Sequence, residues 1–136
     1  MMIATSDDRR RLESVLCVED EEDIQRIIMA SLHRVGGLRV HLCSDPRHAL
    51  RKAREVTPDL ILLDYFMPGL DGAEVFKSLK ADPELAGIPV VFLTASATKG
   101  SAQTLQALGP AGILFKPFNV RELPQKVFDI WNGLKH

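Results

Sequence analysis

Leu60-Ile61-Leu62-Leu63-Asp64-Tyr65-Phe66-Met67-Pro68-Gly69-Leu70-Asp71-Gly72 decides how this chain folds. Its four consecutive aliphatic residues make a run too short for a buried helix and suited to a strand covered on both faces. Asp64 closes that run, Pro68-Gly69 reads as a turn, and Asp71 with Glu74 three residues on resembles a capping box that starts a helix carrying Phe76 and Leu79. The stretch is therefore strand, loop and helix, with a carboxylate at the strand's end.

Working outward, the same unit recurs. Val15 to Val18, Leu38 to Cys43, Val90 to Leu93 and Gly112 to Phe115 are further short apolar runs. In Leu38 to Cys43 the apolar residues alternate with Arg39 and His41, as on an edge strand with one wet face. Between the runs lie helical patterns. Ile24, Ile27, Ile28, Leu32 and Val35 recur at helical spacing and stop at Gly36-Gly37. Asp45-Pro46 reads as an N-cap ahead of Ala49, Leu50 and Ala53. Ala97 to Leu108 is a helix with few large apolar residues, and Asn119 with Glu122 caps a last helix carrying Val120, Leu123, Val127, Ile130 and Leu134. Pro124 is expected just beyond that helix's first turn, where it removes a hydrogen bond and bends the helix.

Strand–helix alternation implies right-handed βαβ units and a parallel sheet. Five such units predict a doubly wound (βα)5 flavodoxin-like three-layer α/β sandwich with strand order 2-1-3-4-5. The expected division is a flexible N-terminal tail over residues 1–11 and one domain over residues 12–134.

Composition narrows the function. The chain has 136 residues, 46% hydrophobic and 26% charged, in the globular range. Its 17 basic and 18 acidic residues give a net charge of −1, which argues against a nucleic-acid or membrane-surface binder. Absence of a transmembrane-length apolar run or a signal peptide, with Cys17 and Cys43 inside apolar runs, predicts a cytoplasmic protein with reduced, buried thiols. His33, His41, His48 and His136 show no metal-ligand spacing and read as surface residues.

In a doubly wound sheet, ligands bind at the rim formed by the strands' carboxyl ends. Glu19 and Asp20 follow the first strand, Asp64 the third, Thr94 the fourth and Lys116 the fifth. Each alone has an ordinary reading: acids at a helix start, a turn aspartate, a strand-end hydroxyl, a solvated lysine. Together they predict a site. Clustered carboxylates repel unless a cation sits among them, and an oxygen donor set suits Mg²⁺. A carboxylate projecting into such a site can attack phosphorus, which makes Asp64 the candidate nucleophile.

These residues also carry a resemblance. Val15 to Asp20, Leu60 to Gly72, Pro89 to Ala95 and Lys116-Pro117-Phe118 together resemble the receiver domain of two-component response regulators, in the same order over most of the chain. The resemblance implies that Asp64 accepts a phosphoryl group from a phosphohistidine on a sensor histidine kinase or histidine phosphotransfer protein. It implies that Glu19, Asp20, Asp64 and the backbone carbonyl of Phe66 hold Mg²⁺, and that Thr94 and Lys116 sense the aspartyl phosphate. Ile113 departs from the family's usual Tyr or Phe, so the ring rotation that accompanies switching has no ring to use. Phe66 stands where many receivers carry a small or polar residue, and its ring is expected to shield the acyl phosphate from water. With no output domain expected after residue 136, the expected output is binding of a downstream protein or onward phosphotransfer, with no enzymatic action on a separate metabolite. Two other classes compete: a receiver fold that acts only as an interaction module, and an aspartate-based phosphatase of the haloacid-dehalogenase type. The latter wants a second acid two residues after the nucleophile, where this chain has Phe66.

Overall fold

A computed structural model describes residues 10–67, 70–95 and 99–134. Five parallel strands form one sheet: β1 (Ser14–Val18), β2 (Arg39–Cys43), β3 (Leu60–Asp64), β4 (Val90–Thr94) and β5 (Gly112–Phe115). Their order is 2-1-3-4-5, as the alternating pattern predicts. Helices α1 (Glu22–Ile28), α2 (Ala49–Val56), α3 (Gly72–Ala81), α4 (Lys99–Ala107) and α5 (Leu123–Asn132) connect or follow the strands.

Strand alternation sends neighbouring side chains to opposite faces, and each face is roofed by helices. Leu16, Val18, Ile61, Leu63 and Phe92 pack with Ala53, Val75, Phe76, Leu79 and Leu105 on one side. Val15, Cys17, Leu60, Leu62, Val91 and Leu93 pack with Ile28, Leu32, Val127 and Trp131 on the other. β1, β3 and β4 are buried at every position. Each fully buried aliphatic side chain there contributes about 1.5–3 kcal/mol. β5 is only partly covered, with Phe115 42% exposed, because it forms the second edge.

Three local expectations change. The helix after β1 widens at Met29–Val35 into a π-helix, which shifts the phase of the stripe. Leu32 stays buried while Val35 turns outward and is 55% exposed. Buried Ser31 uses the widened turn to donate its hydroxyl to Val120 O at 2.7 Å. The last helix begins at Leu123, three residues later than its Asn119 cap implied, because Asn119 instead closes a separate turn by accepting from Arg121 N at 2.9 Å. Pro124 then falls in the first turn of α5, where a missing N–H costs nothing and bends nothing. Asp45 caps as expected, accepting from Arg47 N at 2.9 Å, but the turn it opens is a 3₁₀ segment, Pro46–His48.

At the pole away from the rim, Asp59 accepts from Glu13 N, Ser14 N and the Arg10 guanidinium at 2.9, 3.0 and 2.7 Å. Trp131 Nε1 donates to Arg10 O at 2.9 Å, so Arg10, within the segment assigned to a tail, is held from two sides. His33 and His48 are exposed and His41 is half-buried; His136 lies outside the described residues. Both cysteines are buried and free.

At the start of α3, Asp71 accepts from Ala73 N at 2.9 Å, and Gly72 N donates to Tyr65 O at 3.0 Å. A Cβ on Gly72 would lie 2.7 Å from Tyr65 Cα and 2.9 Å from Asp64 O. Both are backbone atoms, so the clash can be relieved only by moving the Asp64–Tyr65 chain away from α3. Gly72→Ala is therefore expected to destabilise the fold by about 1–3 kcal/mol in urea unfolding. An unchanged unfolding midpoint would show that this close approach places no constraint on the end of β3.

Candidate functional site

The rim is built from strand ends that leave the sheet in register. Asp64 lies opposite Leu93, and Thr94 opposite Phe115. Tyr65 N donates to Leu93 O at 3.0 Å, and Lys116 N donates to Thr94 O at 2.8 Å. Glu19 N donates to Cys43 O at 3.0 Å, extending β1 by one residue and delivering Glu19 and Asp20 to the same end of the sheet.

Three of the predicted side chains meet there. Glu19 is fully buried, Asp64 is 2% exposed, and Lys116 Nζ lies 2.9 Å from Glu19 Oε1 and 3.4 Å from Asp64 Oδ2. Both are ion-pair distances, and these two carboxylate oxygens are buried with no donor among the described residues besides that ammonium. The other two oxygens are served by backbone: Glu21 N donates to Glu19 Oε2 at 3.1 Å, and Phe66 N to Asp64 Oδ1 at 3.2 Å. Thr94 is fully buried at the end of β4, next to the strand that carries Asp64.

Two buried carboxyls beside one ammonium group leave an excess of negative charge. Burial pushes the Glu19 carboxyl up to about 7; Asp64 adds to the rise, and Lys116 and Glu21 N oppose it. Burial likewise raises the Asp64 carboxyl, against the pull of Lys116 and of Phe66 N. Burial alone would lower the Lys116 ammonium, but the two carboxylates outweigh it and hold its pKa above the ordinary lysine value.

The buried oxygens of Glu19 and Asp64 are where a hard cation would find ligands. A third acid stands beside the two expected after β1. Carboxylate oxygens of Glu19, Asp20 and Glu21 all lie within 4.8 Å of one another. Glu21 was missed because a run of five acids before a helix hides which of them gather at the rim; unlike buried Glu19 it is exposed, and its extended backbone (φ −85°, ψ 124°) places it ahead of the first turn of α1. Glu22 and Asp23 keep the ordinary role: they occupy the first turn of α1 and approach Arg26 at 3.6 and 3.4 Å. Gln25 also escaped sequence reading; its amide donates to Glu19 O at 2.6 Å and pins the turn that carries the acids.

Phe66 is 59% exposed, and its ring meets Tyr65 edge-on at 4.8 Å. Tyr65 in turn meets Phe92 edge-on at 5.6 Å. Ile113 lies opposite Phe92 and packs on the same core cluster, so an aliphatic side chain fills the position where an aromatic was expected from the family pattern.

Comparison with known proteins agrees with this geometry. The model of the response regulator receiver domain matches residues 15–128. The polar-differentiation response regulator DivK of Brucella anthropi is 38% identical over 108 residues, covering 79% of this chain and 87% of that protein. The alkaline phosphatase synthesis transcriptional regulatory protein PhoP of Bacillus subtilis is 36% identical over 115 residues; the match covers 85% of this chain but only 47% of PhoP. Among solved structures, the receiver domain of the sensor histidine kinase PA1611 from Pseudomonas aeruginosa PAO1, with a magnesium ion coordinated in its active site cleft, superposes with a TM-score of 0.77. It shares 33% identity and covers 91% of this chain and all of that domain. A likeness that runs through fold and sequence over most of the chain settles its kinship: it belongs to the response regulator receiver domain family of two-component signalling.

Proposed function

We propose that Asp64 is the phosphoacceptor of this receiver and takes its phosphoryl group from a phosphohistidine on a sensor histidine kinase or histidine phosphotransfer protein. The carrying observation is the convergence of buried Asp64 and Glu19 on Lys116, at 3.4 and 2.9 Å. An Asp64 carboxylate oxygen attacks phosphorus, the phosphorus–nitrogen bond breaks, and its electron pair returns to the imidazole. Lys116 balances negative charge on the phosphoryl oxygens, and the Thr94 hydroxyl donates to one of them. Phe66 N, 3.2 Å from Asp64 Oδ1, fixes the rotamer of the acceptor.

Glu19, Asp20, Glu21, Asp64 and the Phe66 carbonyl are the groups that would hold Mg²⁺. The ion, when bound, supplies the charge neutralisation that phosphoryl transfer needs. In this reading the chain catalyses only its own phosphorylation and slow dephosphorylation and signals to a downstream protein by binding it or by passing the phosphoryl group on. No helix among the described residues is long and apolar enough to cross a membrane. The rival reading, an interaction module that never carries phosphate, is favoured by Ile113 alone. The intact Asp64–Glu19–Lys116 group favours chemistry, because such a buried acid cluster costs stability and a pure docking module does not need it.

Three outcomes are expected. Acetyl phosphate with Mg²⁺ adds one phosphoryl group per chain by intact mass, and either EDTA or Asp64→Ala abolishes it; labelling of Asp64→Ala at the wild-type level would remove Asp64 from its role. Glu19 binds its proton more tightly folded than unfolded, so its stabilising contribution is complete below about pH 4.5 and is lost as the pH rises to about 7. In metal-free buffer the wild-type melting temperature should therefore fall across that window relative to Glu19→Gln, and Mg²⁺ should recover the loss; parallel curves would show that Glu19 is not the strained group. Finally, Phe66→Asn should release phosphate several-fold faster than wild type if the exposed ring keeps water from the acyl phosphate, and equal lifetimes would dismiss that role.

A further inference from the structure

The near-zero net charge hides a segregation of charge. Residues 24–54 hold seven of the 17 basic residues and one of the 18 acidic ones, Asp45. This stretch comprises most of α1, its π-helical extension, β2 and most of α2, so the basic residues gather around one edge of the sheet. Arg26, Arg47, Arg51 and Arg54 have carboxylate partners, but among the described residues no carboxylate lies within ion-pair distance of Arg34, Arg39 or Lys52. Burial, and then the positive charges of Lys52 and Arg39, depress the pKa of His41, a sign that these like charges face one another across the edge.

β2 itself is open on that side. Arg39 N donates to Glu13 O and Cys43 O accepts from Glu19 N, so the odd-numbered residues of β2 turn their peptide groups toward β1. Alternation then turns the N–H and C=O groups of Val40 and Leu42 outward, and no strand among the described residues pairs with them. The side chains divide by face. Val40 and Leu42 lean to the α1 side, where Gln25, Met29, Ala30 and Leu42, with the charged Glu22, Arg26 and Arg34, line a groove of about 590 Å³. Arg39 and His41 have the other parity and lie on the α2 side, the side of Cys43, Ala49 and Ala53.

We propose that the outer edge of β2 is a docking strand for an extended segment of a partner protein in which acidic and apolar residues alternate. Such a segment pairs its backbone with Val40 and Leu42. It seats apolar side chains in the groove beside Met29 and Leu42 and presents carboxylates to Arg39, His41 and Lys52 on the other face. The apolar groove favours a protein segment over a nucleic acid, whose phosphates would use the arginines and leave the groove unfilled. This surface lies on the edge strand opposite β5 and does not draw on Asp64, so it stands independently of the phosphoacceptor reading.

The test uses the whole chain and a capped peptide of alternating Glu and Val, about eight residues long, the length of an ordinary strand. Comparators are the block isomer with all Glu preceding all Val, the alternating peptide N-methylated at every second amide, and a short DNA duplex. Binding of the alternating peptide should slow hydrogen exchange at the Val40 and Leu42 amides about tenfold or more. Arg39→Glu with Lys52→Glu should weaken it about tenfold or more, with melting temperature and acetyl-phosphate labelling unchanged. If the double variant does not fold, exchange mapping on the wild type decides alone. Failure of the alternating peptide to bind, equal binding by the block or N-methylated peptide, tighter binding by DNA, or exchange at Val40 and Leu42 that stays fast would each overturn the proposal. The basic edge would then serve only to keep other sheets from pairing with it.

Discussion

The structure turns on a local excess of buried negative charge. Glu19 and Asp64 are both held out of water, and each has an oxygen whose one donor among the described residues is the shared Lys116 ammonium. Replacing such a cluster with well-packed apolar residues is commonly neutral or stabilising, so its presence carries a standing cost. The fold supports that cost through rigidity. Asp64 ends the central strand, Glu19 extends its neighbour, and Lys116 follows the edge strand, each fixed by backbone hydrogen bonds to an adjacent strand. On the proposed function, a site whose charge is unbalanced at rest would take up a cation and a phosphoryl group with little reorganisation, which is the sense of preorganisation in phosphoryl transfer.

Coupling outward from this centre runs through packed elements rather than through a single ring. Gly72 sets α3 against the Asp64–Tyr65 backbone, and the edge-on contacts of Phe66, Tyr65 and Phe92 carry the loop after β3 into the core beneath Ile113. On the opposite face, Ser31 ties the π-helical end of the first helix to Val120 in the loop that begins at Lys116. Both ends of the acid–lysine pair are therefore anchored to helices. A change of charge at Asp64 would therefore be felt by packed elements on either side of the sheet, even though position 113 supplies no aromatic side chain.

Charge in this protein is organised by place and not by total. A net charge of −1 describes neither the acidic rim, where Glu19 to Asp23 are consecutive acids, nor the opposite trend around β2. Segregation of this kind leaves two faces with opposite electrostatic preferences on one small domain.

Most of the architecture was legible in the chain because it is periodic. Buried strands between Ser14 and Thr94 read as continuous apolar runs, and Asp45 and Asp71 capped the turns they were expected to cap. The rim residues 19, 20, 64, 94 and 116 followed from one rule about strand ends, since chain order alone decides which rim they reach. What the chain did not disclose depended on contacts between distant segments. The π-helical widening that exposes Val35 answers packing against the β5–α5 region, and the late start of α5 answers a turn closed by Asn119. Likewise, which members of the acid run face inward, and that Lys116 lies between Glu19 and Asp64, are matters of three-dimensional distance. Local sequence specifies backbone preference and hydrophobic phase; burial and electrostatic balance arise only when strands far apart in the chain are brought side by side.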